Sequence, residues 1–181
     1  AVISDVSCSE NSTTAELLVA AEPVYCNGAG IGNAFLNNHI EDVGFHEWSD
    51  PNPGYVTNNY LDYSDTTTYG YATVVAGQYH HFNATIRANG TGTASTTVAA
   101  WVDFNGDGVF DNTAFSSGGE LLDIINFSST VGNTYAAYFT VPAGISGLKR
   151  IRLRALRGNF ATIEPCGNYS KSQTKDFTIK V

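Results

Sequence analysis

The chain has 181 residues, of which 43% are hydrophobic, 9 basic and 17 acidic, for a formal charge of −8. That is the length of one domain with apolar residues enough for a real core, so disorder is not the default. The acidic balance excludes duplex nucleic acid and anionic membrane surfaces, both of which select clustered Lys and Arg, and no apolar run approaches the roughly 20 residues of a spanning helix, which excludes membrane insertion.

The low Lys and Arg content, with abundant Thr, Ser, Asn, Gly and Tyr, is a composition common in secreted β-proteins and predicts an extracellular or cell-surface location. Five Asn-x-Ser/Thr sequons, at Asn11, Asn83, Asn89, Asn126 and Asn168, carry meaning only in a glycosylating host. The sequence contains no Met and begins at Ala1, which reads as a processed or excised piece whose signal peptide has gone.

In chain order, residues 1–21 read as a leader strand or linker. They hold the strongest helical spacing of a helix-poor sequence, Ala15–Ala21, which suits a strand equally well. Residues 22–181 read as the compact body. Asn27–Tyr63 is aromatic and turn-rich, predicting loops and short strands. Gln78–Ile86 alternates, with Phe82, Ala84 and Ile86 on one face and Tyr79, His81, Asn83 and Thr85 on the other. Thr96–Phe104 is apolar on both faces, as in a central strand. Tyr135, Ala137, Phe139 and Val141 alternate up to Pro142. Leu148, Ile151, Leu153 and Ala155 mark another strand, and Thr174–Val181 closes the domain with Phe177, Ile179 and Val181 on one face. Turns at Ala76-Gly77, Asn89-Gly90, Gly118-Gly119 and Ser146-Gly147 punctuate these runs. Many strands without intervening helices predict an all-β, two-sheet antiparallel β-sandwich, jelly-roll-like in character.

The sharpest local motif is Asp103-Phe104-Asn105-Gly106-Asp107-Gly108-Val109-Phe110-Asp111. Oxygen side chains fall at the first, third, fifth and ninth places and Gly at the sixth, the spacing by which a tight loop aims oxygens at Ca2+. Asp103, Asn105, Asp107, the Val109 carbonyl and Asp111 are the candidate metal ligands. The twelfth place is Ala114 where a helix-loop-helix hand has a bidentate Glu, so a remote carboxylate must complete the shell: Glu120, or Asp176 from the last strand. The same residues are also the ordinary formers of metal-free turns. Three cysteines permit one bridge with one left over: Cys26–Cys166 would close about 140 residues, and Cys8–Cys26 is the other pairing considered.

With that loop in place the chain resembles the GEVED domain family, from about Tyr25 to Val181. The resemblance rests on Tyr25-Cys26, Tyr60-Leu61-Asp62-Tyr63, Gly77-Gln78-Tyr79, Trp101-Val102-Asp103-Phe104-Asn105-Gly106-Asp107-Gly108, Val141-Pro142, Arg150-Ile151-Arg152-Leu153-Arg154 and Pro165-Cys166. The order and spacing of these pieces make it specific. Where the family has Gly-Glu-Val-Glu-Asp-Tyr, this chain has Ser172-Gln173-Thr174-Lys175-Asp176-Phe177, and Asp176 alone keeps an acidic group. The resemblance implies a calcium-compatible β-sandwich from a large secreted bacterial protein, with a Cys26–Cys166 bridge. It does not settle function, because one fold hosts many activities.

Two surfaces are candidates for recognition. Trp48 and Tyr55 lie in an aromatic, polar stretch outside the family motif, and exposed rings there would stack on sugars; Tyr60 and Tyr63, inside the motif, read as core. Arg150, Arg152 and Arg154 fall on one face of a strand, where a stripe of guanidiniums suits an anionic polysaccharide and, more readily in an acidic chain, Asp and Glu on neighbouring strands. No catalytic motif appears: the four histidines lack zinc-protease spacing, and there is no nucleophile elbow or phosphate loop. The expectation is a secreted, non-catalytic module stabilised by calcium that binds a polysaccharide or cell-surface glycan. The rival expectations are a fibre or surface-layer subunit that self-associates through residues 1–21 or Cys8, and a polysaccharide-active enzyme.

Overall fold

The computed structural model describes residues 23–28, 39–51, 53–54, 59–87, 95–127 and 133–181. The leader with Cys8 and Ala15–Ala21, the Asn89-Gly90 turn and Tyr55 lie outside the described residues.

The strands are β1 (His39–Phe45), β2 (Trp48–Ser49), β3 (Tyr60–Tyr63), β4 (Ala72–Thr73), β5 (Tyr79–Arg87), β6 (Thr96–Asp103), β7 (Leu121–Phe127), β8 (Asn133–Thr140), β9 (Leu148–Arg157) and β10 (Ser172–Lys180). One helical turn, α1 (Thr66–Tyr69), starts where Asp65 accepts the Thr67 amide, and a single 3₁₀ turn spans Phe115–Ser117. The strands form a four-stranded sheet, β2-β1-β5-β8, and a six-stranded one, β3-β10-β9-β6-β7, in which β4 also pairs with β10. The sandwich read from the sequence is thus present, with one correction: β3 and β4 run parallel to β10, so the larger sheet is mixed. A parallel neighbour must arrive by a long crossover, and nearly the whole domain lies between these short strands and β10.

The core sits between the sheets. Phe82, Ala84 and Ile86 of β5 and Tyr135, Ala137 and Phe139 of β8 face Val98, Ala100 and Val102 of β6, Ile151, Leu153 and Ala155 of β9, and Phe177 and Ile179 of β10. Phe177 meets Phe82 edge-on at 5.5 Å. Burying a side chain of this size contributes roughly 1.5–3 kcal/mol. The interior also holds polar ties: Gln173 Oε1 accepts the Ile40 amide at 2.7 Å, joining the two sheets, and the Lys175 ammonium donates to Asp50.

The six-stranded sheet carries a second apolar layer on its outer side. Ala99 and Trp101 of β6 and Leu156 of β9 pack there with Phe110 and Ile163, while Tyr25, Phe160 and Tyr169 close over them. The apolar-both-faces pattern of Thr96–Phe104 has its cause here. Two peptide segments, one around Tyr25 and one around Ile163, lie across this face, and the Cys26–Cys166 disulfide joins them over a separation of 140 residues.

Replacing both cysteines, Cys26→Ser with Cys166→Ser, is expected to lower unfolding free energy by about 2–5 kcal/mol, mainly by releasing the unfolded chain. Denaturant titration measures it, and adding reductant to the native protein should give the same loss.

Candidate functional site

The loop after β6 is built from Asx turns. Asp103 Oδ1 accepts the Gly106 amide at 2.6 Å, and Oδ2 accepts the Gly108 amide at 3.0 Å and the Tyr25 hydroxyl at 2.6 Å. Asn105 Oδ1 accepts the Asp107 amide, Asp107 Oδ1 the Val109 amide, and Asp111 Oδ1 the Thr113 amide. Gly106 and Gly108 take φ of 75° and 82°, which a side chain would strain. Asp103 is fully buried, whereas Asn105, Asp107, Val109 and Asp111 are exposed.

Glu120 approaches from the start of β7. It is 5% exposed, its Oε2 accepts the Asp111 amide at 3.0 Å, and its Oε1 is buried without a hydrogen-bond partner. Burial pushes its carboxyl up to about 7; the Asp111 amide opposes this, and the negative charge of Asp103 adds to it. A buried, under-satisfied carboxylate beside two further acids is a site that favours a cation. The donors are all oxygens, as calcium requires. They are not drawn to one point, however: among the described residues no three Asp, Glu, His or Cys side chains are grouped as a metal site. Asp103 has three of its roughly four lone-pair positions taken by the loop itself. Asp176 is elsewhere, held by Arg152 and accepting the Tyr60 hydroxyl at 2.9 Å.

The arginine stripe is not a surface. Arg152 and Arg154 are fully buried beneath the two covering segments. Arg152 grips Asp176 in a bidentate pair at 2.8 and 2.7 Å, and donates to the Cys26 carbonyl at 2.8 Å and the Pro165 carbonyl at 3.1 Å. Burial works against its charge, but the bonds to Asp176 outweigh it and hold the guanidinium above its ordinary value. Arg154 has backbone partners instead, donating to the carbonyls of Gly28, Glu164, Pro165 and Gly167. Burial, and then the charge of Arg152, lower it to about 10. Only Arg150 keeps some exposure, at 20% of its side chain, lying over the Tyr25 ring and 3.6 Å from Asp62. The period-two reading of the strand was sound, but an apolar second layer and the disulfide cover that face.

Trp48 is likewise corrected as a binding ring. It lies opposite Phe45 across the β1–β2 hairpin, and directly paired residues share a face, so it enters the core. It is 5% exposed, stacks on Phe177 at 5.0 Å and donates its Nε1 hydrogen to the Tyr69 carbonyl. Tyr63 is core, as read, and Tyr60 is half-buried.

The outer face of the four-stranded sheet is open. Tyr79 of β5 and Tyr138 of β8 are 66% and 53% exposed, with rings parallel to within 12° at 5.8 Å. His81, directly opposite Tyr138, also stacks on it at 5.4 Å. Asn83 is exposed and Thr85 half-buried further along β5, and with Asp42, Gly44 and His46 they line a trough of about 380 Å³ that His81 joins to the rings. Sequence reasoning placed Tyr79, His81, Asn83 and Thr85 together on the polar face of β5 without giving them a role. The missing signal was pairing: which strand lies beside β5, and hence that Tyr138 completes the row.

A disulfide-closed, two-sheet β-sandwich with an Asx-turn loop at one end and an open aromatic face is the class of protein this is. The family model of the GEVED domain matches residues 97–180, the stretch from β6 to β10. GEVED domains are extracellular-type, generally non-catalytic modules. No curated protein matches the chain. Among solved structures it is similar to the CARDB domain of a Pyrococcus furiosus protein, determined in complex with di-metal ions, at 10% identity and a TM-score of 0.40, with 81% of this chain and 90% of that one covered. Among the described residues no helix is long and apolar enough to cross a membrane.

Substituting Arg152→Met is expected to cost about 3–5 kcal/mol, because it strands the Asp176 carboxylate in the interior. The double substitution with Asp176→Leu should cost less than the two single changes summed, a coupling that a double-mutant cycle by chemical denaturation measures.

Proposed function

We propose that this chain is a secreted, non-catalytic binding module that attaches to carbohydrate, with calcium clamping the loop Asp103–Asp111. The observation that carries the binding reading is the contrast between the two outer faces. One is sealed by covering segments and a disulfide, while the other leaves ordered aromatic and polar side chains open to solvent. Amphipathic rings beside hydrogen-bonding groups suit sugars, whose ring hydrogens are apolar and whose hydroxyls are not. In support of a non-catalytic role, the buried aspartates Asp50, Asp103 and Asp176 are each engaged by a cation, a hydroxyl or backbone amides. A glycan array should show retention of the domain, and the retained glycans should emerge unhydrolysed after prolonged incubation; released reducing ends would refute the non-catalytic reading.

The support for calcium is the oxygen-only donor set and the partnerless Glu120 Oε1. Asp107, Asp111 and Glu120 would hold the ion with the Asn105 side chain, the Val109 carbonyl and the one remaining lone pair of Asp103. The ion would supply no reaction chemistry there, only a charge clamp across the loop. Binding the folded state alone stabilises it by about 2.7 kcal/mol at a hundredfold excess over Kd. Calcium is therefore expected to raise the melting temperature by several degrees, EDTA to reverse the rise, and Asp107→Ala to abolish the calcium response in differential scanning calorimetry.

A further inference from the structure

We infer that the outer face of the four-stranded sheet, from Tyr79 and Tyr138 through His81 to the trough at Gly44, is the binding site and that it takes a neutral polysaccharide chain. The inference rests on the carbohydrate reading and adds to it the place and the ligand class.

Three observations converge. The first is the ring row. Tyr138 stacks on both Tyr79 and His81, so the row is packed together before any ligand arrives. Aromatic side chains with two rotatable bonds, already stacked, lose little freedom on binding, and preorganisation of this kind raises affinity. Beyond its stacking on Tyr138, the Tyr79 ring is left 66% exposed.

The second is the trough. Asn83 of β5 faces Gly44 of β1, and at Gly44 a Cβ would meet no atom within 4 Å. The missing side chain leaves a channel alongside Asn83 and Thr85, with Asp42 on its other wall. These groups offer both donors and acceptors to hydroxyls. From Tyr79 to Thr85 the strand rises roughly 20 Å, the span of an oligosaccharide rather than of one sugar. Rings at one end and amides and hydroxyls at the other suit a chain that lies along the strand.

The third is charge. The ring row carries neither Lys nor Arg, and the nearest cation on this face, Arg87, is tied to Glu41 at 2.8 Å. Of the arginines that would have recognised carboxylates or sulfates, Arg152 and Arg154 are buried under the opposite face and Arg150 lies over Tyr25 on that same side. The chain as a whole is acidic, with a charge of −8, and repels polyanions. A protein partner fits less well, since the face alternates rings with polar groups and lacks the continuous apolar centre of an interface.

The test is affinity electrophoresis of the intact chain through gels containing neutral polysaccharides (mixed-linkage β-glucan, xylan, mannan and galactan), with polygalacturonate and heparin as anionic arms. The native protein is expected to be retarded by at least one neutral polymer and by neither anionic one. Tyr79→Ala combined with Tyr138→Ala should weaken that retardation roughly tenfold or more, in line with the loss of two exposed stacking rings. Gly44→Gln, which fills the trough, should weaken it while leaving the melting temperature unchanged, as should the tyrosine pair. Retardation by the neutral polymer that survives both variants overturns the assigned face and leaves the carbohydrate reading standing. Retardation by the anionic polymers alone overturns the ligand class. Retardation by none of the polymers, with array binding also absent, overturns the inference and the carbohydrate reading together.

Discussion

The bidentate pair between Arg152 and Asp176 organises one whole side of this molecule. Both groups are fully buried, on adjacent central strands, and the guanidinium spends its remaining hydrogens on the carbonyls of Cys26 and Pro165. A buried ion pair of this kind contributes little net stability over an apolar pair of equal volume. What it contributes is placement. It fixes the two ends of the peptide cover on either side of the disulfide, with Phe110 lying against the guanidinium at 4.7 Å and Tyr60 reaching the same carboxylate. Arg154 repeats the arrangement one step along the strand with carbonyls alone. The arginines hold a lid of backbone, and the lid covers Arg152 and Arg154.

The Asx loop inherits its position from that lid. Tyr25 precedes the disulfide and donates its hydroxyl to Asp103, while Arg150 lies over its ring at 4.2 Å. Burial, then the hydrogen bond to Asp103 and its charge, hold the Tyr25 hydroxyl well above the ordinary phenol range, so it stays a donor. Trp101 adds a second strut, its Nε1 hydrogen on Asn112 at 3.0 Å. The turn is therefore anchored at its root in the protein interior, while the tip residues Asn105, Asp107 and Val109 stand in solvent. The root of the loop is thus ordered by the protein's own hydrogen bonds.

The fold was legible where the sequence keeps a period of two. Gln78–Ile86 and Thr174–Val181 are strands within one or two residues of their readings. The strands that escaped are those in which the period breaks. In β1 a bulge between Ile40 and Asp42 spaces the buried Ile40 and Val43 three residues apart rather than two. In β7 the run Leu-Leu-Asp-Ile-Ile-Asn-Phe repeats every three residues, and a register shift against β6 accommodates it. Site residues failed for another reason. Period two says which residues share a face, as it did for Arg150, Arg152 and Arg154, but not what covers that face. The cover comes from Tyr25 and Ile163, remote in sequence. The exposed row needed the pairing of β5 with β8, a contact that no local pattern encodes.

The polar residues inside β10 explain why its pairing with β9 has a single register. Lys175 points into the core toward Asp50, and Asp176, its neighbour, points outward to Arg152. A one-residue slip would exchange the two faces. A slip in one direction would bring the Lys175 ammonium against Arg152, and a slip in the other the Asp176 carboxylate against Asp50, so either places like charges together in a buried layer at a cost of several kcal/mol. An all-apolar β10 would be free of that penalty and so less tightly specified. Gln173 adds a third constraint, since its carboxamide reaches the Ile40 amide beside the bulge of β1 only from this register. Through that bond the position of β10 sets where β1 sits, and β1 places Gly44 beside Asn83. The trough on the open face is thus fixed by charges buried on the closed one.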